Sequence, residues 1–75
     1  MEEIILEIYI FIENGNFPKK DDLLKISIDK KEFDKIDKRI LKSEIRNIIS
    51  FKFKQRECFA IVKKDNKVLF NLIID

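Results

Sequence analysis

The stretch EEIILEIYIFIEN, residues 2–14, decides the fold, because two periodicities coincide in it. One apolar set recurs at the spacing of a helical face: Ile4, Ile5, Ile8, Phe11 and Ile12. Another set alternates as in a strand: Ile4, Leu6, Ile8, Ile10 and Ile12. The length of the stretch and the glutamates off the helical face favour a helix, although isoleucine favours sheets. We predict a helix over residues 2–14, with a strand over residues 4–12 as the alternative.

The segment after this stretch predicts two more helices. Gly15 stands where a helix commonly ends, and Pro18 suits the first position of the next one. Residues 19–25 are therefore predicted as a short helix and residues 26–28 as a tight turn. A longer helix is predicted over residues 29–43.

Capping and periodicity support this third helix. Asp29 and Glu32 have the spacing of a capping box. Apolar residues then follow at helical spacing: Phe33, Ile36, Ile40 and Leu41. Two acids, Asp37 and Glu44, lie near that apolar face, so we expect the helix to end or bend at residues 42–46.

The last third of the chain changes to the period of a strand. Ile49, Phe51 and Phe53 alternate with polar residues, which predicts a half-buried strand. Residues 58–63 and 68–74 are predicted as two further strands. Asp65 and Asn66 between them suit a hairpin turn, because both residue types tolerate a positive φ.

The composition argues against most enzymes. The 75 residues contain no His, one Cys and one Gly. A chain without His lacks the commonest general base and metal ligand. One cysteine, Cys58, cannot form an internal disulfide or a thiolate zinc site, and one glycine excludes the glycine-rich phosphate loops. We therefore expect a binding protein without catalytic residues, metal or cofactor.

The hydrophobic runs are short. The apolar run over residues 4–12 is far below the roughly 20 residues that cross a bilayer, so no membrane partner is expected. The start of the chain is acidic, whereas a signal peptide has a basic start. Together with the absence of disulfide potential, this predicts a cytoplasmic location.

Charge is unevenly distributed along the chain. There are 16 basic and 14 acidic residues, which gives a net charge of +2. Residues 1–18 contain four acids and no base, whereas residues 38–67 contain ten bases and three acids. Residues 38–67 therefore have a net charge of ten minus three, or +7. Such asymmetry indicates a polyanionic partner.

The run ENGNFPKKDDLLKISIDKKEF, residues 13–33, resembles the winged helix-turn-helix DNA-binding superfamily. The matching turn and apolar positions are Gly15, Leu23, Leu24, Ile28 and Phe33. The resemblance implies an α+β fold in which three helices are followed by a two- or three-stranded antiparallel hairpin, with residues 1–75 as one winged-helix-like domain. It also implies double-stranded DNA as the partner, with the helix over 29–43 in the major groove and the wing tip on phosphate. The turn at 26–29 lacks the glycine often found in that family.

The basic residues support this expectation. On a helix over residues 30–46, six bases share an arc of roughly 100° that contains no acid and lies opposite the apolar face. Lysines also surround the predicted hairpin turn, where counterion release would favour phosphate. The candidate DNA-binding residues are Lys31, Lys35, Lys38, Arg39, Lys42, Arg46, Lys63, Lys64 and Lys67.

The apolar surplus of the first and last elements predicts an interface. We expect a homodimer through residues 2–12, residues 68–74 or both. The predicted function is a sequence-specific or architectural DNA-binding protein, acting as a regulator or as an accessory factor in replication, partition or transfer. The alternative is a protein-interaction module, such as an inhibitor of phage or plasmid origin, that uses the same fold with a protein partner.

Overall fold

The computed structural model describes residues 2–14, 17–53 and 57–74. Two strands, β1 (Glu3–Asn14) and β2 (Phe17–Asp29), are followed by two helices, α1 (Lys30–Lys35) and α2 (Lys38–Lys52). Two further strands follow, β3 (Cys58–Lys64) and β4 (Lys67–Ile74). The four strands form one antiparallel sheet in the order β2-β1-β3-β4.

The prediction of a winged helix is wrong. The observed fold is a four-stranded antiparallel sheet with two helices, instead of three helices and a terminal hairpin. The predicted helices over 2–14 and 19–25, and the predicted turn over 26–28, all lie in strands β1 and β2. Gly15, expected to end the first helix, lies outside the described residues.

Alternation decides the conformation of β1. Leu6, Ile8 and Ile10 are completely buried, whereas Ile5 is 55 % exposed. A helix would have placed Ile5 and Ile8 on the same face. Because β1 is central, it pairs along much of its length with both β2 and β3, and the β-branched isoleucines suit such a strand. The alternative prediction of a strand over 4–12 is therefore confirmed.

Strand β2 is formed by pairing with β1. Leu24, Ile26 and Ile28 lie opposite the inward-facing residues of β1 and pack against the core. Ser27 points to the other face and donates a hydrogen bond to Oε2 of Glu3 at 2.8 Å. The apolar pair that suggested a short helix, Leu23 and Leu24, is divided between the two faces of the sheet.

The helix predicted over 29–43 is interrupted. Helix α1 ends at Lys35, and both Ile36 and Asp37 have an extended backbone. Asp37 is the N-cap of α2, where its Oδ1 accepts a hydrogen bond from the backbone N–H of Arg39 at 2.8 Å. Asp29 does precede α1, but its side chain makes no capping hydrogen bond.

Helix α2 extends beyond its predicted end, and the strand predicted over residues 49–53 is wrong. The buried residues Leu41, Ile45 and Ile49 recur every four residues and form one stripe along α2. This stripe packs on the inward face of the sheet, in one continuous core with residues of β1, β3 and β4. The helix period over residues 41–49 therefore overrides the short alternation that begins at Ile49.

The C-terminal hairpin is confirmed. Asp65 and Asn66 form its turn with φ values of 52° and 64°. A two-residue turn with positive φ at both positions matches the twist of antiparallel strands. An extra residue, Leu69, lies in β4 between the partners of Val62 and Lys63. Cys58 is buried at the start of β3.

Candidate nucleic-acid interface

The interruption of the predicted helix divides the basic arc between two helices. Lys31 and Lys35 belong to α1, on the side of that short helix opposite Phe33. The other four bases of the arc belong to α2 and are all exposed: Lys38, Arg39, Lys42 and Arg46. A single six-residue stripe is therefore not present.

The bases of α2 still form a group. At 3.6 residues per turn they span an arc of about 100° beside the buried stripe. The one acidic residue of α2, Glu44, lies on the opposite flank of the helix. Lys42 shows where the basic flank lies, because its Nζ is 5.4 Å from the ring centroid of Phe70 in β4. The basic flank of α2 therefore faces the β4 side of the sheet.

A lysine of the hairpin lies near the start of this flank. Lys64 ends β3, and its Nζ is 5.6 Å from the ring centroid of Phe33 in α1. Phe33 and Phe70 both line a cleft of about 230 Å³ between α1, α2 and β4. Lys38 also lines this cleft, together with Asp34, Ile36, Leu41 and Leu69.

One lysine thus lines this mostly apolar cleft, and two more lie against aromatic rings of its lining. Lys38 and Lys42 come from the predicted helical stripe, whereas Lys64 comes from the predicted wing. Contact with aromatic faces helps to position Lys42 and Lys64, since such cation–π pairs are attractive even at exposed sites. The Nζ of Lys64 also lies 3.7 Å from Oδ2 of Asp65 in the turn, an exposed ion pair of small energy. We call Lys38, Lys42 and Lys64 with the apolar residues between them the basic cleft.

The predicted cluster of hairpin lysines is divided between the two faces of the sheet. Lys64 lies on the helix side, whereas Lys63 lies on the other side with its Nζ 5.0 Å from the ring centroid of Tyr9. Lys67 is exposed and pairs with Lys64 across the hairpin. The separation follows from strand geometry, because successive side chains point to opposite faces.

The sheet has a second surface, which carries no predicted nucleic-acid-binding residue except Lys63. Within the described residues, both helices pack on the face that bears Ile8, so the face that bears Tyr9 is left open. We call this surface the open face. It presents Ile5, Glu7, Tyr9 and Phe11 of β1, Lys25 and Ser27 of β2, Phe59, Ile61 and Lys63 of β3, and Val68, Asn71 and Ile73 of β4.

Two features stand out on the open face. Phe11 and Phe59 stack with their ring centroids 4.8 Å apart and their planes 9° apart. Near them, Tyr9 donates a hydrogen bond from its hydroxyl to Oε2 of Glu7 at 3.2 Å. Burial raises the pKa of Tyr9 above 10.0, and the negative charge of Glu7 and this hydrogen bond raise it further.

The titration of Tyr9 is a direct test of this environment. Tyr9 is the single tyrosine and there is no tryptophan, so the phenolate absorbance reports one group. A raised pKa means that the folded chain retains the proton longer. The stabilising contribution is complete below pH 10 and is lost as the pH rises through the folded-state pKa. We expect a midpoint above 10.0 in the native protein, and a lower one in Glu7→Gln. A native midpoint at or below that of the urea-unfolded chain would contradict this arrangement.

No family model, curated protein or solved structure matches this chain. In the part of the chain that the structure describes, neither helix is long and apolar enough to cross a membrane. The same residues contain no group of three or more acidic or cysteine side chains that could hold a metal ion. The basic cleft and the open face are therefore the two surfaces of this chain from which a function can be inferred.

Proposed function

We propose that this protein binds double-stranded DNA without catalysing a reaction, through the basic cleft and the basic flank of α2. The observation that carries the proposal is that Lys38 and Lys42 of α2 and Lys64 of β3 lie on one side of the molecule, at or beside one cleft. Lysines that neutralise phosphates release counterions, and this release provides most of the sequence-independent affinity for DNA.

The proposal assigns different roles to the bases. Lys38, Lys42 and Lys64 contact backbone phosphates, for which lysine is a suitable point charge. Arg39 and Arg46 lie farther from the sheet on α2, where a guanidinium can also reach guanine edges in a major groove. The docking helix is α2 rather than the helix predicted over 29–43, because α1 ends at Lys35.

The salt dependence of binding tests this function. We would measure the anisotropy of a labelled random duplex at salt concentrations from about 50 to 200 mM. Four phosphate contacts, by the three cleft lysines and Arg46, predict a log–log slope of about −3.6 and roughly a hundredfold loss of affinity over that range. Absence of binding at the lowest salt, or a slope shallower than about −1, would contradict the proposal.

The alternative function, a protein-interaction module, is favoured by one observation. The flank of α2 opposite the bases exposes two isoleucines, Ile40 by 54 % and Ile48 by 45 %. Exposed apolar side chains on the same flank of a helix are a surface that protein partners commonly contact. DNA affinity no greater than that of an unrelated protein of charge +2, together with a stable stoichiometric complex with a protein partner, would favour this alternative.

The cellular role is also part of the proposal. A small DNA-binding protein without catalytic groups suits a regulator or an accessory factor in replication, partition or transfer. We propose the cytoplasm as its location, because the single cysteine offers no internal disulfide.

A further inference from the structure

The open face has the composition of an interface core. Its centre combines the stacked pair Phe11 and Phe59 with Tyr9 and Ile61, all half-buried by their neighbours in the sheet. Ile73 on the edge strand β4 is 68 % exposed. Soluble proteins rarely expose large contiguous apolar patches, and those that do commonly use them for association. Beside this patch, β3 and β4 form a hollow of about 430 Å³.

The broad side of the chain is large enough for a protein interface. The chain measures 43 × 22 × 16 Å, so its broadest side has a footprint of about 900 Å². The segment shared by all four strands, residues 7–12 of β1 with their partners, forms the centre of that side. A stable interface of standard size buries about 800 Å² on each partner. A second copy of this chain is as wide and as long as the surface to be covered.

The charges on the open face show how a second copy can fit. Glu7 on β1 is paired in register with Lys25 on β2 and with Lys63 on β3, so one acid lies between two bases in a row across the sheet. Strands β1 and β3 are the two central strands. Consider a two-fold axis that lies between the two open faces, parallel to the strands and midway between β1 and β3. This axis places β1 of one copy opposite β3 of the other copy. Glu7 of each copy then faces Lys63 of the other copy.

The same axis brings together the apolar residues. Within each sheet, Tyr9 is paired with Ile61 and Phe11 with Phe59. Tyr9 of one copy therefore faces Ile61 of the other copy, and Phe11 faces Phe59 of the other copy. An axis perpendicular to the strands gives a worse match. If it passes at the level of Tyr9, Glu7 of one copy lies over Phe11 of the other, and an unpaired charge against apolar side chains is costly. The parallel axis places Lys25 on the edge strand β2 opposite Val68 of the other copy, where a long lysine side chain can keep its ammonium group in water. Charge complementarity at the central strands therefore selects the parallel axis.

We propose that two copies of this chain associate through their open faces, about a two-fold axis parallel to the strands, to form a sandwich of two four-stranded sheets. Sheets packed in this way lie about 10 Å apart with their strands at roughly 30°. The helices of both copies, and both basic clefts, lie on the outside of the dimer. The proposal is independent of DNA binding, because the basic cleft is on the other side of the sheet.

A matched pair of variants tests the surface. Ile73→Glu introduces a charge on the open face, whereas Ile40→Glu introduces the same charge at a similarly exposed isoleucine on α2. Sedimentation equilibrium should show a dimer for the wild type and for Ile40→Glu. For Ile73→Glu it should show a dissociation constant raised at least about tenfold, with an unchanged far-UV spectrum. A monomeric wild type at 100 µM, or equal effects of both substitutions, would overturn the proposal.

A mixing experiment tests the axis. Glu7→Lys and Lys63→Glu each place like charges opposite each other in a homodimer, so each alone should dimerise about tenfold more weakly or worse. In a 1:1 mixture the two variants can form a heterodimer. Both of its contacts between positions 7 and 63 of the two copies then pair a lysine with a glutamate. Each chain still carries its own like-charge pair, so recovery can come only from contacts between copies. With one variant labelled with ¹⁵N, native mass spectrometry should show mainly heterodimers.

Other outcomes of the mixing experiment are equally informative. A statistical mixture of homodimers and heterodimers, with no gain in affinity, would exclude the proposed axis. Pairing of β4 with β4 along the sheet edge predicts that result, because Glu7 and Lys63 do not meet there. The control mixture of Glu44→Lys with Arg46→Glu, both exposed on α2, should show no preference for heterodimers.

Discussion

Combining Lys38→Glu, Lys42→Glu and Lys64→Glu in one variant should raise the dissociation constant for duplex DNA at least about a hundredfold at low salt. Three phosphate contacts are lost, and three carboxylates near the same phosphates repel them. The salt slope should also fall by about three units, because each lost contact removes about one released counterion. Anisotropy titrations at several salt concentrations measure both effects.

A second triple variant controls for net charge. Three reversals change the charge of the chain from +2 by −6, to −4. Lys31→Glu, Lys35→Glu and Lys52→Glu produce the same change at exposed positions outside the basic cleft. This control should retain most of the affinity. Equal losses in both triple variants would mean that binding follows net charge alone, and the assignment of the basic cleft would be wrong.

Truncation of Ile8 should destabilise the protein far more than truncation of Ile5. Ile8 is completely buried against α2 and β3, so Ile8→Ala removes apolar contacts and leaves a cavity, at a cost of about 2–5 kcal/mol. A domain of this size has a free energy of unfolding of about 4–11 kcal/mol, so this variant is partly unfolded or close to it. Ile5→Ala, at a 55 % exposed position, should cost less than about 1 kcal/mol.

Urea denaturation of the two variants at one protein concentration, low enough that both are monomeric, measures this difference. The comparison also tests the conformation of the N-terminal segment. In a helix, Ile5 and Ile8 would share the buried face and their truncations would cost similar amounts. Similar losses in Ile5→Ala and Ile8→Ala would therefore contradict the strand.

The C-terminal hairpin was predictable because its signals are local. Asp65 and Asn66 adopt a positive φ more readily than most residues, and short, mainly apolar runs of strand length flank them on both sides, over residues 58–62 and 68–74. The two strands lie next to each other in sequence, so pairing them requires no information from the rest of the chain. The prediction of both strands and of the turn was correct for that reason.

The N-terminal hairpin was not predictable from local signals. The stretch over residues 2–14 satisfies a helical and a strand period at once, because almost every apolar position is isoleucine or leucine. Pairing with β3, which begins more than forty residues later, contributes to its conformation. Pairing with β1, once β1 is held in the sheet, converts residues 19–28 from a predicted helix and turn into β2. Tertiary context overrode local propensity in both segments.

The candidate site was predictable as a list of bases, but not as an arrangement. The interruption at Ile36 and Asp37 separates Lys31 and Lys35 from the bases of α2. Strand alternation then sends Lys63 and Lys64 to opposite faces. The signal for this separation is present in the sequence, because adjacent residues in a strand cannot share a face of the sheet.

The sequence by itself determined a small domain with an apolar core, a C-terminal hairpin and a basic second half, because composition and short-range periodicity are local properties. Only the tertiary structure decided that residues 3–12 are a central strand, that one face of the sheet is left open, and that Lys38 lines a cleft whose aromatic residues lie beside Lys42 and Lys64. These outcomes depend on contacts between residues far apart in the chain. The free energy of such contacts is set by burial and register, which no window of the sequence contains.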